Sequence, residues 1–197
     1  MKRKIVLSSG NKHKIEEIKY ILQDMPFEVV SKDDLGYKDF DVVEDGVTLE
    51  ENAFKKAEEL HKLVNGIVLA DDTGLFVDAL NGEPGVYSAR YAGEPASDKN
   101  NRLMLLENLK GFPMEKRTAY FKTVIAVVFE DGIKITAEGR VNGKIAFEER
   151  GQNGFGYDSL FIVSDTGKTF AEMSEEEKNK TSHRARALLN LKEKLEV

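Results

Sequence analysis

A short apolar run, Gly66-Ile67-Val68-Leu69, leads straight into Ala70-Asp71-Asp72-Thr73-Gly74-Leu75. Such a run predicts a buried strand. Two adjacent carboxylates at its end need a cationic partner or a metal, because a lone buried charge is costly. The pattern therefore predicts a strand end that presents Asp71 and Asp72 to a ligand, with Gly74 letting the backbone turn away. Taken alone, Asp-Asp-Thr-Gly also fits a solvated turn, since these residue types all favour turns. The rest of the chain has to decide between the two.

The flanking sequence first suggests an anion site. Ile5-Val6-Leu7 predicts a strand that Ser8-Ser9-Gly10-Asn11 interrupts, and Ile15, Ile18, Ile21 and Leu22 share one face of a following helix with Asn11 at its N-cap. A strand, a glycine turn and a helix N-terminus aim backbone N–H groups at whatever lies above the turn. Lys14 adds a charge on the first helical turn. The spacing is not that of a Walker loop.

Further on, Phe27–Val30 predicts a second strand, and an acid-rich loop carries Glu44. Thr48 and Glu51 form a capping box for a helix with Ala53, Ala57, Leu60 and Val64 on one face. Ser97 caps a helix expected to turn Leu103, Leu106 and Leu109 inward. Arg117–Glu130 and Ile133–Phe147 flank Asp131-Gly132, a hairpin signal. Parallel βα units early and a hairpin later predict a mixed α/β sheet.

The last third holds Gly151-Gln152-Asn153-Gly154-Phe155-Gly156-Tyr157-Asp158, where glycines allow close approach of a flat ligand to Phe155. A tight loop whose aromatics plug the core fits the same residues. Ser174 and Glu177 form another capping box. Ser182 is placed to cap the final helix, with His183 and Arg184 on its first turn. Basic side chains there oppose the helix dipole, which favours their facing an anion or an acceptor-rich ligand.

Composition limits the partners. At 197 residues and 41% hydrophobic content the chain fits one domain spanning 1–197, or two lobes sharing a core. A net charge of -6 argues against nucleic acid or an anionic membrane. Cysteine is absent and the three histidines lack zinc-ligand spacing, so any metal is expected to be magnesium or manganese held by oxygen. The stretch before the first strand is too short for a signal peptide or a membrane span, so a cytoplasmic location is expected.

Ser9-Gly10-Asn11-x-x-Lys14, Ala70–Leu75, Tyr87-Ser88-Ala89-Arg90-Tyr91-Ala92-Gly93, Gly154–Asp158 and Ser182-His183-Arg184 together resemble the inosine triphosphate pyrophosphatase family. The likeness runs in one order along essentially the whole chain, and it departs at Ser159, where family members usually carry proline. It implies hydrolysis of dITP, ITP and XTP to the monophosphate and pyrophosphate, in the cleft of an elongated, two-lobed, mixed sheet, usually in a homodimer. It also implies that Ser9, Gly10, Asn11 and Lys14 hold the triphosphate. Glu44 and Asp72 would bind Mg2+, and Asp72 would accept the proton of the attacking water. Thr73 would touch substrate, and Phe155, Gly156, Tyr157, Asp158, Lys178, His183 and Arg184 would form the base pocket. The residues alone leave open whether Asp71 shares the base or metal role. A nucleotide-binding sensor without hydrolysis is the alternative, against which the paired carboxylates speak.

Overall fold

The computed structural model describes residues 3–195. In chain order the regular elements are β1 (Arg3–Leu7), α1 (Lys12–Ile21), β2 (Phe27–Ser31), α2 (Leu49–His61), β3 (Ile67–Val77) and β4 (Pro84–Gly85). They are followed by α3 (Asp98–Asn108), β5 (Thr118–Val128), β6 (Lys134–Ile145), β7 (Phe161–Val163), α4 (Glu175–Thr181) and α5 (His183–Leu195). The sheet order is β2-β1-β3-β5-β6-β7, with β4 paired to β3 off that path. β1 pairs parallel with β2 and β3, whereas β4 and β7 join antiparallel, so the sheet is mixed as the sequence predicts.

The chain divides into two compact units. The first comprises Met1–Asp72, Thr123–Gly139 and Arg184–Val197. Its register pairs Ile5 with Ile67 and Leu7 with Leu69. Alternation along a strand puts these four side chains on one sheet face. There they form a core with Ile18 and Ile21 of α1, Leu22 just after it, and Leu188 and Leu191 of α5. Asn11 caps α1 by accepting from Lys14 N at 3.2 Å, and the Thr48–Glu51 capping box opens α2. Ala53, Ala57 and Leu60 on α2 are fully buried, as the periodicity requires.

The second unit comprises Thr73–Lys122 and Arg140–His183. Its core gathers Leu75, Leu105, Phe121, Val141, Tyr157, Phe161 and Phe170. Ser97 caps α3 through Asn100 N, but Leu105 rather than Leu103 faces that core, and Leu103 is 53% exposed. The Ser174–Glu177 box opens α4 as expected.

One expectation is corrected. Asp71 to Gly74 do not form a turn; they lie inside the 11-residue strand β3. Gly74 is needed for close approach instead. A Cβ there would lie 2.7 Å from the Gly85 carbonyl oxygen, across the antiparallel pair of β3 with β4. Among the described residues no helix is long and apolar enough to cross a membrane.

Candidate active site

Because Asp71 and Asp72 are consecutive on a strand, their side chains leave opposite faces of the sheet. Asp71 follows the parity of Ile67 and Leu69 and so emerges on the face covered by α1 and α5. Those helices supply its partners. Lys14 Nζ from α1 lies 3.1 Å from Asp71 Oδ2, and Arg184 from α5 donates to the same oxygen through Nε at 3.3 Å and Nη2 at 3.2 Å. Arg184 Nη1 also donates to Glu17. Burial pushes the Asp71 carboxyl up, but Lys14, Arg184 and Lys56 outweigh it and hold it well below the usual carboxylate range. Asp71 is a fixed anion.

Asp72 emerges on the other face and meets α2. Residues four apart share a helix face, and Asn52 and Lys56 both reach it: Asn52 Nδ2 donates to Asp72 Oδ2 at 3.2 Å and Lys56 Nζ to Asp72 Oδ1 at 3.2 Å. Lys56 Nζ also donates to Glu44 Oε1 at 3.1 Å, so one ammonium bridges the two acids that sequence resemblance pairs as metal ligands. Asn52 Oδ1 accepts from Gly46 N at 2.8 Å, fastening the loop two residues after Glu44. Burial raises the Asp72 pKa, with Lys56 opposing it and Glu44 adding to it; the net direction is upward. For Lys56 burial acts downward, but Asp72, Glu44 and Asp71 hold its ammonium above the ordinary lysine range. The two adjacent acids are thus separated in character by their surroundings.

Glu44 and Asp72 offer two hard oxygen donors. No group of three or more His, Cys, Asp or Glu side chains suited to a metal occurs among the described residues. Two carboxylates are a donor set magnesium commonly takes, completing its shell with phosphate and water. A cation, the Lys56 ammonium, already rests between the same two acids.

The turn after β1 lies in the same unit. Gly10 and Asn11 are exposed and Ser9 is half-buried. Ser9 Oγ accepts from Asn11 N at 3.2 Å, which shapes the turn ahead of α1.

In the second unit Phe155, Asp158 and Lys178 come together, and Phe170 lies between Lys178, whose Nζ is 5.9 Å from its ring centroid, and His183. Lys178 Nζ donates to Asp158 Oδ2 at 2.7 Å and sits 4.6 Å from the Phe155 ring centroid. Asp158 Oδ2 also accepts from Phe155 N at 2.9 Å. Gly154 has φ +76°, and a Cβ there would lie 2.1 Å from Asp158 Oδ2, so only glycine fits. His183 stacks on Phe121 with centroids 4.6 Å apart and meets Phe170 edge-on. Gly156 is half-buried, its N–H donating to Asp98 Oδ2 at 2.9 Å and its carbonyl accepting from Arg102 Nη1 at 2.9 Å. Thr73, the first residue of this unit, is half-buried.

Two expected base-pocket residues have other attachments. Tyr157 is buried and donates its hydroxyl to Ser88 O at 2.8 Å, which makes it an anchor of the loop. Arg184 belongs to the first unit, where Asp71 and Glu17 engage its guanidinium, while Phe155 and Lys178 belong to the second. Sequence reasoning missed Asn52, Lys56, Asp98 and Arg102. The available signal was the i, i+4 spacing of Asn52 and Lys56 beside the Ala53–Ala57 stripe.

The fold is that of a known family of proteins. The Ham1 family model matches residues 5–194, and the chain belongs to that family. It is 55% identical over 189 residues to the dITP/XTP pyrophosphatase of Thermoanaerobacter sp. (strain X514), covering 96% of this chain and 94% of that one. It is 47% identical over 195 residues to the dITP/XTP pyrophosphatase of Bacillus subtilis (strain 168), covering 99% and 98%. The structure of the Staphylococcus aureus Ham1 protein superposes with a TM-score of 0.87 at 45% identity, covering 98% of each chain. A Coxiella burnetii HAM1 protein gives 0.88 at 39% identity, also covering 98% of each.

Proposed function

We propose that this protein hydrolyses non-standard purine nucleoside triphosphates, dITP, ITP and XTP, to the monophosphate and pyrophosphate. Membership of the Ham1 family and the pyrophosphatase relatives support the substrate class. The observation that carries the chemistry is the division between the two acids: Asp71 is neutralised by Lys14 and Arg184 on one sheet face, while Asp72 stands on the other beside Glu44, Asn52 and Lys56.

In this reading Ser9, Gly10, Asn11 and Lys14 bind the triphosphate, the turn through N–H groups at the start of α1 and Lys14 through its charge. Glu44 and Asp72 hold magnesium, which when bound neutralises phosphate oxygens and acidifies water. Asp72 takes the proton of the water attacking the α-phosphorus, and pyrophosphate leaves. Asn52 fixes the Asp72 carboxylate so that it need not reorient during the reaction. Thr73 touches the substrate next to that acid. Phe155 stacks on the base, Gly156 lets it approach the backbone, and Lys178 and His183 supply donors. Asp158 keeps Lys178 in place and Tyr157 fixes the loop. Phosphoryl transfer needs little beyond such positioning and charge neutralisation. The protein is further proposed to act as a cytoplasmic homodimer with no nucleic-acid or membrane partner.

The test is product analysis with dITP and magnesium in 18O-labelled water. Label in dIMP with release of pyrophosphate is expected. Label in orthophosphate with accumulating dIDP would overturn the reading.

A further inference from the structure

Lys56 stands where a divalent cation would be needed. Its ammonium lies 3.1 Å from Glu44 Oε1 and 3.2 Å from Asp72 Oδ1, and its side chain is 12% exposed. The position is built, not incidental. Ser8 Oγ donates to the Lys56 carbonyl at 3.0 Å, and the capped helix α2 brings Asn52, one turn earlier, onto the other Asp72 oxygen. Two carboxylates held close together repel one another, and a resident ammonium offsets that repulsion without any metal.

We infer that Lys56 is an internal placeholder for the metal: its ammonium offsets the charge between Glu44 and Asp72 in the nucleotide-free protein and must be displaced before a divalent cation can bind them. The inference rests on the magnesium reading above and adds to it a consequence for binding order. A displaced Lys56 is a largely buried cation that has lost its counter-charges, which is unfavourable unless new anionic oxygens arrive. A triphosphate supplies such oxygens. Metal affinity is therefore low in the free protein and rises when the nucleotide binds, and by linkage the metal promotes nucleotide binding equally. In the nucleotide-free protein Lys56 acts through the two acids; once displaced, its ammonium pairs with phosphate oxygens.

The experiment is Mn2+ binding to the nucleotide-free protein, read by electron paramagnetic resonance of free Mn2+. Wild type is compared with Lys56→Met and Lys56→Gln. Removing a positive charge from beside the site is expected to tighten Mn2+ binding by about tenfold or more. A merely structural lysine would leave the affinity unchanged or weaken it, and either result in both variants overturns the inference. If a variant melts early in metal-free buffer, Mn2+ must raise its Tm by more than it raises that of wild type; an equal or smaller rise also overturns it. Adding Glu44→Gln to Lys56→Met must abolish the gain, and a gain that persists places the ion elsewhere and overturns the inference. Separately, if wild type fails to take up Mn2+ even with a non-hydrolysable dITP analogue, the magnesium reading itself falls. That result is distinct from unchanged affinity in the Lys56 variants.

Discussion

Asn52 holds Asp72 from one side and the Glu44 loop from the other, donating to Asp72 Oδ2 at 3.2 Å and accepting from Gly46 N at 2.8 Å. It is completely buried. A single carboxamide thereby sets the distance between a strand and a loop that each carry one of the two acids. An alanine or leucine cannot do this, because the link needs one donor and one acceptor on the same planar group.

Asn52→Leu tests that link. It keeps the volume and removes both bonds, leaving the Gly46 N–H without its partner at a cost of about 1–3 kcal/mol. We expect kcat on dITP to fall about tenfold or more, since Asp72, the proposed base and metal ligand, loses alignment. Urea denaturation and steady-state kinetics on one preparation measure both effects. Unchanged kcat alongside reduced stability would make Asn52 a packing residue only.

Asp72→Asn and Arg184→Met should fail in different ways. The first keeps the shape and the Asn52 contact but loses the proposed base and metal ligand, so turnover is expected to drop by about two orders of magnitude or more with the fold retained. The second leaves Asp71 and Glu17 without the guanidinium that joins them. Breaking a buried ion pair typically costs about 3–5 kcal/mol, so Arg184→Met should be a stability variant first. Circular dichroism melts beside a pyrophosphate-release assay separate the two. A stable Arg184→Met protein would mean that Lys14, with the nearby charge of Lys56, suffices to neutralise Asp71.

Much of the fold could be read from the chain because its signals are local. The Thr48–Glu51 and Ser174–Glu177 boxes, the Asn11 cap and the Asp131-Gly132 hairpin depend on neighbours within a few residues, and each recurs in the structure. The acids of β3 misled for a physical reason. Asp-Asp-Thr-Gly has turn chemistry, but partners distant in sequence override it: Lys14 and Arg184 on one face and Asn52 and Lys56 on the other make a continuous strand tolerable. The partners of Arg184 were hidden for the same reason, since Asp71 lies 113 positions away and Glu17 lies 167. No local pattern records such a pairing.

A pH prediction concerns Glu172, which accepts from Arg150 Nη2 at 2.8 Å and from Thr169 N at 2.7 Å. The Arg150 hydrogen bond first, and then the Thr169 backbone, hold its carboxyl below the ordinary glutamate value. With the folded pKa below the unfolded one, its stabilisation is complete above the unfolded value, about 4.3, and is lost as pH falls through the folded value. The carboxylate is exposed, so the effect is small. The stability difference between wild type and Glu172→Gln should stay level at neutral pH and shrink below about pH 4. Urea midpoints measured across that range would reveal it, and a difference that grows on acidification contradicts it.

The last prediction concerns how the base is read. Hypoxanthine and xanthine carry an acceptor oxygen at C6, where adenine carries a donor amine. Lysine can only donate, and Lys178 is the cation that the structure sets against the Phe155 ring, with Asp158 steering it. An amine facing that ammonium would leave buried donors unpaired, and rejection of this kind can reach ~10⁴-fold. Lys178→Met should therefore lower kcat/KM for dITP much more than for dATP, narrowing the preference by about tenfold or more. Guanine shares the C6 oxygen, so the ratio of dITP to dGTP should change far less than the ratio of dITP to dATP. Steady-state kinetics on all three nucleotides measure this directly. Equal losses on dITP and dATP would reduce Lys178 to the partner that holds Asp158 and its loop, and the selection at C6 would have to come from His183 or from the backbone.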